Sequence, residues 1–403
     1  MLGLAGIAAA CSSIRGANPE LPTWVHRPSG ALAVIFSRPV VAESRRVGEP
    51  WELGRPELDT QGRRVFVGSS DRGLYALRAQ DGQPLWRFET LSFVQSAPLY
   101  DPTEDVVYFG SNDGALYKVR ALDGELLWRF ATNAEIARRP VLEGGTLYVA
   151  NANDTVLALD ARTGAQRWVQ HQAPAQGMEI AGHSGVAVWR GAVYAAFSAG
   201  TVAAFDAVTG DERWPPVDLA AEAEAQLGEV PAYLDVDTTP VPDAAPSGPV
   251  VYVAAYVGGV HALDADGGNP VWANPAVAGA TGLTLYTEPA HTGRDGAPRE
   301  PTRLLLVASG TSGLWALDPE TGAEIWRRPV PAGGLTAPVP WQGALLVSSS
   351  TLGLFLVSPR EGAVIDGLHT GDGVSMVPAV HGRRAFVTTN GGRLLSLYVA
   401  PPR

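Results

Sequence analysis

The stretch Val65-Phe66-Val67-Gly68-Ser69-Ser70-Asp71-Arg72-Gly73-Leu74-Tyr75-Ala76-Leu77, followed by Asp81-Gly82 and Trp86, decides the fold. It reads as an apolar strand, a small polar turn, a Leu-Tyr-Ala-Leu strand, an Asp-x-x-x-Gly-type turn and a strand carrying tryptophan. The template returns along the chain. Trp86, Trp128, Trp168, Trp214, Trp272 and Trp326 stand four residues beyond Gly82, Gly124, Gly164, Gly210, Gly268 and Gly322, at spacings of 42, 40, 46, 58 and 54 residues. A seventh copy runs from Ala344 through Leu354-Phe355-Leu356-Val357 to Gly362, with Asp366 where the tryptophan would fall. An eighth, Arg384-Ala385-Phe386-Val387 then Leu394-Leu395-Ser396-Leu397-Tyr398, stops before its last strand. Short apolar stretches precede the copies, often around a proline, as in Ala97-Pro98-Leu99, Arg139-Pro140-Val141, Thr239-Pro240-Val241, Ala337-Pro338-Val339 and Val377-Pro378-Ala379.

Four strands in a unit of roughly 40 residues make a propeller blade. A solenoid would leave the truncated last copy unexplained. In a closed ring the eighth blade lacks only its outermost strand, and Leu32-Ala33-Val34-Ile35-Phe36 or Val40-Val41-Ala42 can supply it, which removes the last open edge. The expected fold is all-β: an eight-bladed β-propeller of four-stranded antiparallel blades, closed by an N-terminal strand. Residues 31–403 form one domain. An average of about 150 residues per domain would instead give two or three, but the repeat overrides that arithmetic.

Aromatic planes stack on quinones and sugars, so the recurring tryptophan raises the question of a cofactor. A residue found once per blade at a fixed offset belongs to the packing of the repeat, wedged between neighbouring blades. Asp113, Asp154 and Asp264 read in the same way as turn residues. Asp264-Ala265-Asp266-Gly267 lacks the further ligands of a calcium loop.

The composition agrees with a chain that turns often. The 403 residues include 46 Gly and 32 Pro, well above the usual share. A net charge of −11 argues against a nucleic-acid partner, since surfaces that neutralise phosphates are normally basic, and no basic patch offsets it. Three insertions interrupt the plain repeat. Leu219–Val230 reads as a short acidic helix, and Pro242–Pro249 and Thr287–Arg303 read as solvated loops.

Local catalytic signals are absent from the sequence. The seven histidines, His26, His171, His183, His261, His291, His369 and His381, show no ligand spacing within one element. Ser184 and Ser312 sit beside glycines without the spacing of a nucleophile elbow. There is no phosphate loop. The expectation is a protein that is not an enzyme, with no catalytic residues, no metal and no cofactor.

One cysteine, Cys11, rules out a disulfide framework and a thiolate metal cluster. The run Leu2-Gly3-Leu4-Ala5-Gly6-Ile7-Ala8-Ala9-Ala10 before it is too short to span a bilayer. It resembles the end of a bacterial lipoprotein signal, although Ala8 replaces the usual Leu and no basic residue precedes the run. That resemblance implies lipidation at Cys11, with residues 1–11 as signal and 12–30 as a tether. Ser12 in place of a retention Asp then implies the outer membrane, with the protein lipid-anchored and facing the periplasm.

The Leu-Tyr-Ala-Leu-Asp-x-x-Thr-Gly-x-x-x-Trp unit resembles the repeat shared by pyrroloquinoline-quinone-dependent alcohol dehydrogenases and the outer-membrane assembly lipoproteins of the BamB family. The dehydrogenases hold their cofactor against a disulfide of adjacent cysteines, which this chain does not have. The run Asp235-Val236-Asp237-Thr238-Thr239-Pro240 is similar to a BamB segment whose two aspartates contact the POTRA domains of the barrel insertase BamA. A second BamB contact segment corresponds to Met178-Glu179-Ile180-Ala181 ahead of Gly182-His183-Ser184, with Ala181 where the family carries arginine. The resemblance implies a non-catalytic scaffold whose partner-binding residues are Asp235, Asp237, Met178 and Ile180. Its implied partners are a BamA-like insertase, other barrel-assembly subunits, unfolded outer-membrane proteins and, through the anchor, the membrane. The alternative is a calcium- and quinone-dependent dehydrogenase or another small-ligand propeller, which needs a calcium site and a catalytic carboxylate in the channel.

Overall fold

The computed structural model describes residues 30–41, 52–173, 184–219, 221, 236, 238–292, 298–330 and 333–400. Eight four-stranded antiparallel sheets follow one another along the chain. Blades 1 to 7 occupy residues 57–89, 99–131, 141–171, 187–218, 241–274, 280–328 and 339–369. Each is a meander whose first strand is innermost and whose last is outermost. Blade 8 joins the two ends of the chain: Ala379–His381, Arg384–Thr388 and Arg393–Val399 are completed by Leu32–Pro39. That strand runs antiparallel to Arg393–Val399, from Leu32 opposite Val399 to Pro39 opposite Arg393, with an irregularity between Val34 and Phe36. Of the two candidate closing segments, the first is therefore the strand, and Val40 and Val41 continue from it into the core.

The second and third strands of each blade are covered on both faces by neighbouring blades. Their near-continuous apolar runs, such as Val65–Val67 and Leu74–Leu77, are accordingly buried throughout. Outermost strands are mostly exposed. In Gln166–His171 only Trp168 is fully buried. The hydrophobic core is divided among eight seams, each filled from two adjacent blades. The seam between blades 2 and 3, for instance, joins Val106, Tyr108 and Leu116 to Leu147, Val149 and Leu157.

Each repeating tryptophan locks such a seam. The indole Nε1–H of Trp86, Trp128, Trp168, Trp214, Trp272 and Trp326 donates to a backbone carbonyl of the following blade, at Ala121, Ala161, Ala207, Ala265, Pro319 and Pro359, over 2.9–3.3 Å. Its ring lies on the glycine of the turn between that blade's third and fourth strands. A Cβ at Gly124, Gly164, Gly210, Gly268, Gly322 or Gly362 would come within 2.8 Å of the ring, and all six have positive φ. The tryptophan and the glycine that precedes it in sequence thus belong to two different joints. A tyrosine on the second strand often donates to the same carbonyl, as Tyr148 does to Ala207 at 2.9 Å.

The last two seams use other residues. Phe36 on the closing strand occupies the tryptophan's place over Gly82. Asp366, buried where the seventh tryptophan would stand, accepts the Leu32 N–H at 2.7 Å and so holds the start of the closing strand. Asp366→Ala is expected to cost about 1–3 kcal/mol by stranding that amide, measured by urea unfolding. A cost below about 0.5 kcal/mol, the range of an ordinary surface change, would show that the ladder alone holds the strand.

Two insertions depart from the loops read in the sequence. Val241–Ala245 pairs with Gly248–Ala255 as far as Ala245 opposite Gly248, so residues 242–249 form a lengthened hairpin. Strands Ala280–Glu288 and Thr302–Ser309 likewise extend to Glu288 opposite Thr302, and His291–Thr292 pairs with Pro298–Arg299 beyond them. Strand alternation in these stretches was masked by their Pro, Gly and charge content. Most of the third, Leu219–Val230, lies outside the described residues. Asp113 and Asp264 do serve turns: Asp113 accepts the Ala115 amide, and Asp264 accepts those of Asp266 and Gly267. Asp154 also sits in a turn, at a positive φ of 46°, and in addition bridges to the next blade by accepting the amide and hydroxyl of Ser198.

Candidate functional site

In a meander blade the innermost strand starts on the face that also carries the loops between blades and the turns joining second to third strands. The described residues that follow the two segments, from Ser184 and from Thr238, lead into the innermost strands Ala187–Trp189 and Val241–Ala245 and lie on this one face. Cys11, Met178, Ile180, Asp235 and Asp237 lie outside the described residues. Their neighbours along the chain are firmly held. Val236 is buried, and Thr238 is clamped by Ala254, whose carbonyl accepts its hydroxyl at 2.9 Å and whose amide donates to it at 3.0 Å. The buried Ser184 hydroxyl donates to the Thr238 carbonyl at 3.0 Å. A Cβ at Gly185 would meet the Thr239 hydroxyl at 2.5 Å. Ser184 and Thr238, 54 residues apart, tie the two segments together across the seam between blades 4 and 5.

On the same face a cavity of about 540 Å³ lies on the ring axis, since every blade contributes to its wall, from Arg55 in blade 1 to Met376 in blade 8. Gly185 and Thr239, which come just after the two segments, also line it. Its charged lining is Arg55, Arg138 and Arg139. Arg139 donates to Glu57 at 2.7 Å. Burial, and then the nearby charge of Arg139, push the Arg55 guanidinium below its usual value, against the pull of Glu57. The described lining holds no carboxylate, histidine or cysteine, and no group of three or more such side chains able to hold a metal occurs among the described residues. Such a wall suits an anion and offers a hard cation no charged ligand.

The sequence reading missed these arginines and found no basic patch. Folding makes one from separate copies of the repeat. A signal was present at the position before the proline that opens an innermost strand. Ala97, Thr239, Ala337 and Val377 stand there in four copies, whereas Arg55 and Arg139 stand there in two.

Eight blades, tryptophan–glycine joints and a closing N-terminal strand define a propeller of the pyrroloquinoline-quinone-type repeat. The chain belongs to the family described as outer membrane protein assembly factor BamB, whose model matches residues 43–104, 101–304 and 287–400. No curated protein sequence matches it. Among solved structures it is similar to BamB from Moraxella catarrhalis, at 18% identity and a TM-score of 0.69 over 91% of this chain and 99% of that one. It is also similar to quinohemoprotein alcohol dehydrogenase from Comamonas testosteroni, at 13% identity and a TM-score of 0.67 over 93% of this chain and 78% of that one. The computationally designed Ika8 protein aligns at 13% identity and a TM-score of 0.64, over 90% of this chain and all of the design. At these identities the likenesses show the fold.

Proposed function

We propose that this chain is a non-catalytic scaffold of outer-membrane β-barrel protein assembly. It binds the POTRA region of a BamA-like insertase, alongside other barrel-assembly subunits, and aids insertion of unfolded barrel proteins. Its contact surface is the face reached by residues 178–184 and 235–239, and Cys11 carries the lipid that holds it to the outer membrane on the periplasmic side. Membership of the BamB family supports the reading, and the observation that carries it is the Ser184–Thr238 bond, which joins the described residues that follow the one segment to those that close the other. Two carboxylates two residues apart repel one another, which suits a cationic partner. Exposed apolar residues at 178 and 180 would supply the desolvated centre of the interface, and the two aspartates its polar part.

Charge reversal at Asp235 and Asp237 to Lys is expected to weaken capture of barrel-assembly subunits from detergent-solubilised outer membranes tenfold or more, about 1.4 kcal/mol per decade. The thermal midpoint should stay in place. Capture that is equally strong with the double variant would remove these residues from the interface. Stoichiometric uptake of calcium and pyrroloquinoline quinone with dye reduction would overturn the scaffold itself.

A further inference from the structure

The axial cavity inverts the charge of the molecule around it. The chain carries a net charge of −11, yet the described cavity wall holds Arg55, Arg138 and Arg139 and no acidic side chain. Glu57 engages Arg139 from just outside the wall, one carboxylate facing the two guanidiniums of Arg55 and Arg139. The Nε–H of Arg55 is sealed from solvent and has no hydrogen-bond partner among the described residues. A buried donor left without a partner is destabilising, and more so on a charged group. The ring does not need an arginine there, because four other blades place Ala, Thr or Val at the equivalent position. The arginines enter from blades 1 and 3. The wall contributed by blades 6 to 8 carries no charge and mixes apolar Leu283, Leu335, Met376 and Val377 with Thr and Ser hydroxyls.

We propose that the axial cavity binds a small organic anion. One or two carboxylate or phosphate groups are held by Arg55 and Arg139, and an apolar body lies against Leu283, Leu335 and Met376. A planar guanidinium fork pairs with either oxyanion through two parallel hydrogen bonds. The volume of about 540 Å³ falls within the range of small-molecule sites. The site does not depend on the scaffold reading, since no partner protein contributes to it.

The test is calorimetric titration of the full chain with 1-naphthyl phosphate, 1-naphthoate, neutral 1-naphthol and inorganic phosphate. At least one naphthyl anion is expected to bind tenfold or more tighter than naphthol and than inorganic phosphate, and the stronger of the two identifies the preferred oxyanion. Arg55→Gln should weaken that anion tenfold or more while leaving the thermal midpoint of the ligand-free protein unchanged or higher, because it removes a buried charge whose Nε–H has no hydrogen-bond partner among the described residues. Should that variant fail to fold, Arg55→Lys keeps the charge but loses the fork, and is expected to weaken binding several-fold. Anions that bind no tighter than naphthol, or an affinity untouched by the Arg55 substitution, would overturn the proposal.

Discussion

Trp168→Ala is expected to lower the unfolding free energy by about 3–5 kcal/mol, the range for emptying the site of a large buried aromatic. Trp168 is buried, packs between Tyr148 and Phe205 at centroid distances of 5.9 and 6.4 Å, and donates to the Ala207 carbonyl at 3.0 Å. Truncation removes all of these and uncovers Gly210. Gly210→Val probes the other half of the joint. Its φ of +81° disfavours any side chain, and the new Cβ would lie 2.8 Å from the Trp168 ring. The two changes share one space, so the double variant should lose less than the sum of the singles, with a coupling of about 0.5–3 kcal/mol. Urea unfolding of the four proteins measures it. Strict additivity would mean that ring and turn do not support each other.

Removal of residues 1–39 should cost still more. It deletes the strand whose seven register pairs complete blade 8, and with it the burial of Leu32 and the Phe36 cover on Gly82. At about 0.5–1.5 kcal/mol net per lost backbone bond, the deficit is on the order of 5 kcal/mol, comparable to the whole stability of many domains. The strand left at the edge, Arg393–Val399, carries Leu394, Leu395 and Leu397. An unpaired apolar edge recruits another chain. The expected outcome is loss of the monomer to oligomers or aggregates, read by light scattering, with recovery when a peptide of residues 30–41 is added in trans. A truncated protein that remains monomeric with an unchanged midpoint would show that the ring closes without this strand.

The repeat was legible because each copy carries the same local instructions. Strand alternation, hairpin turns and the tryptophan at a fixed offset gave the blades, their number and the way the ring shuts. The hairpins at 242–249 and 287–303 were not legible. Strands exposed on both sides can be rich in Pro, Gly and charge, and that composition also describes loops. Asp366 looked like a missing tryptophan, because its partner, Leu32, lies 334 residues away. The axial arginines escaped for a related reason. Arg55 and Arg139 are ordinary when each is read alone, and their chemistry arises only when separate blades aim them at one axis. The proposed contact segments rest on a family likeness alone, and the structure adds the bond between their flanking residues Ser184 and Thr238.

The strand that shuts the ring also sets how the molecule bears load. Leu32 pairs with Val399 and Pro39 with Arg393, so the chain enters the ring at Ala31 on the face away from the cavity mouth and the Ser184–Thr238 tie. An attachment made through the preceding residues leaves that mouth open to the other side. A pull on Ala31 against a body held at the cavity face acts along the strand, not across it. All seven register pairs then resist together in shear, whereas a pull between Ala31 and the Ala400 end would unzip them one at a time.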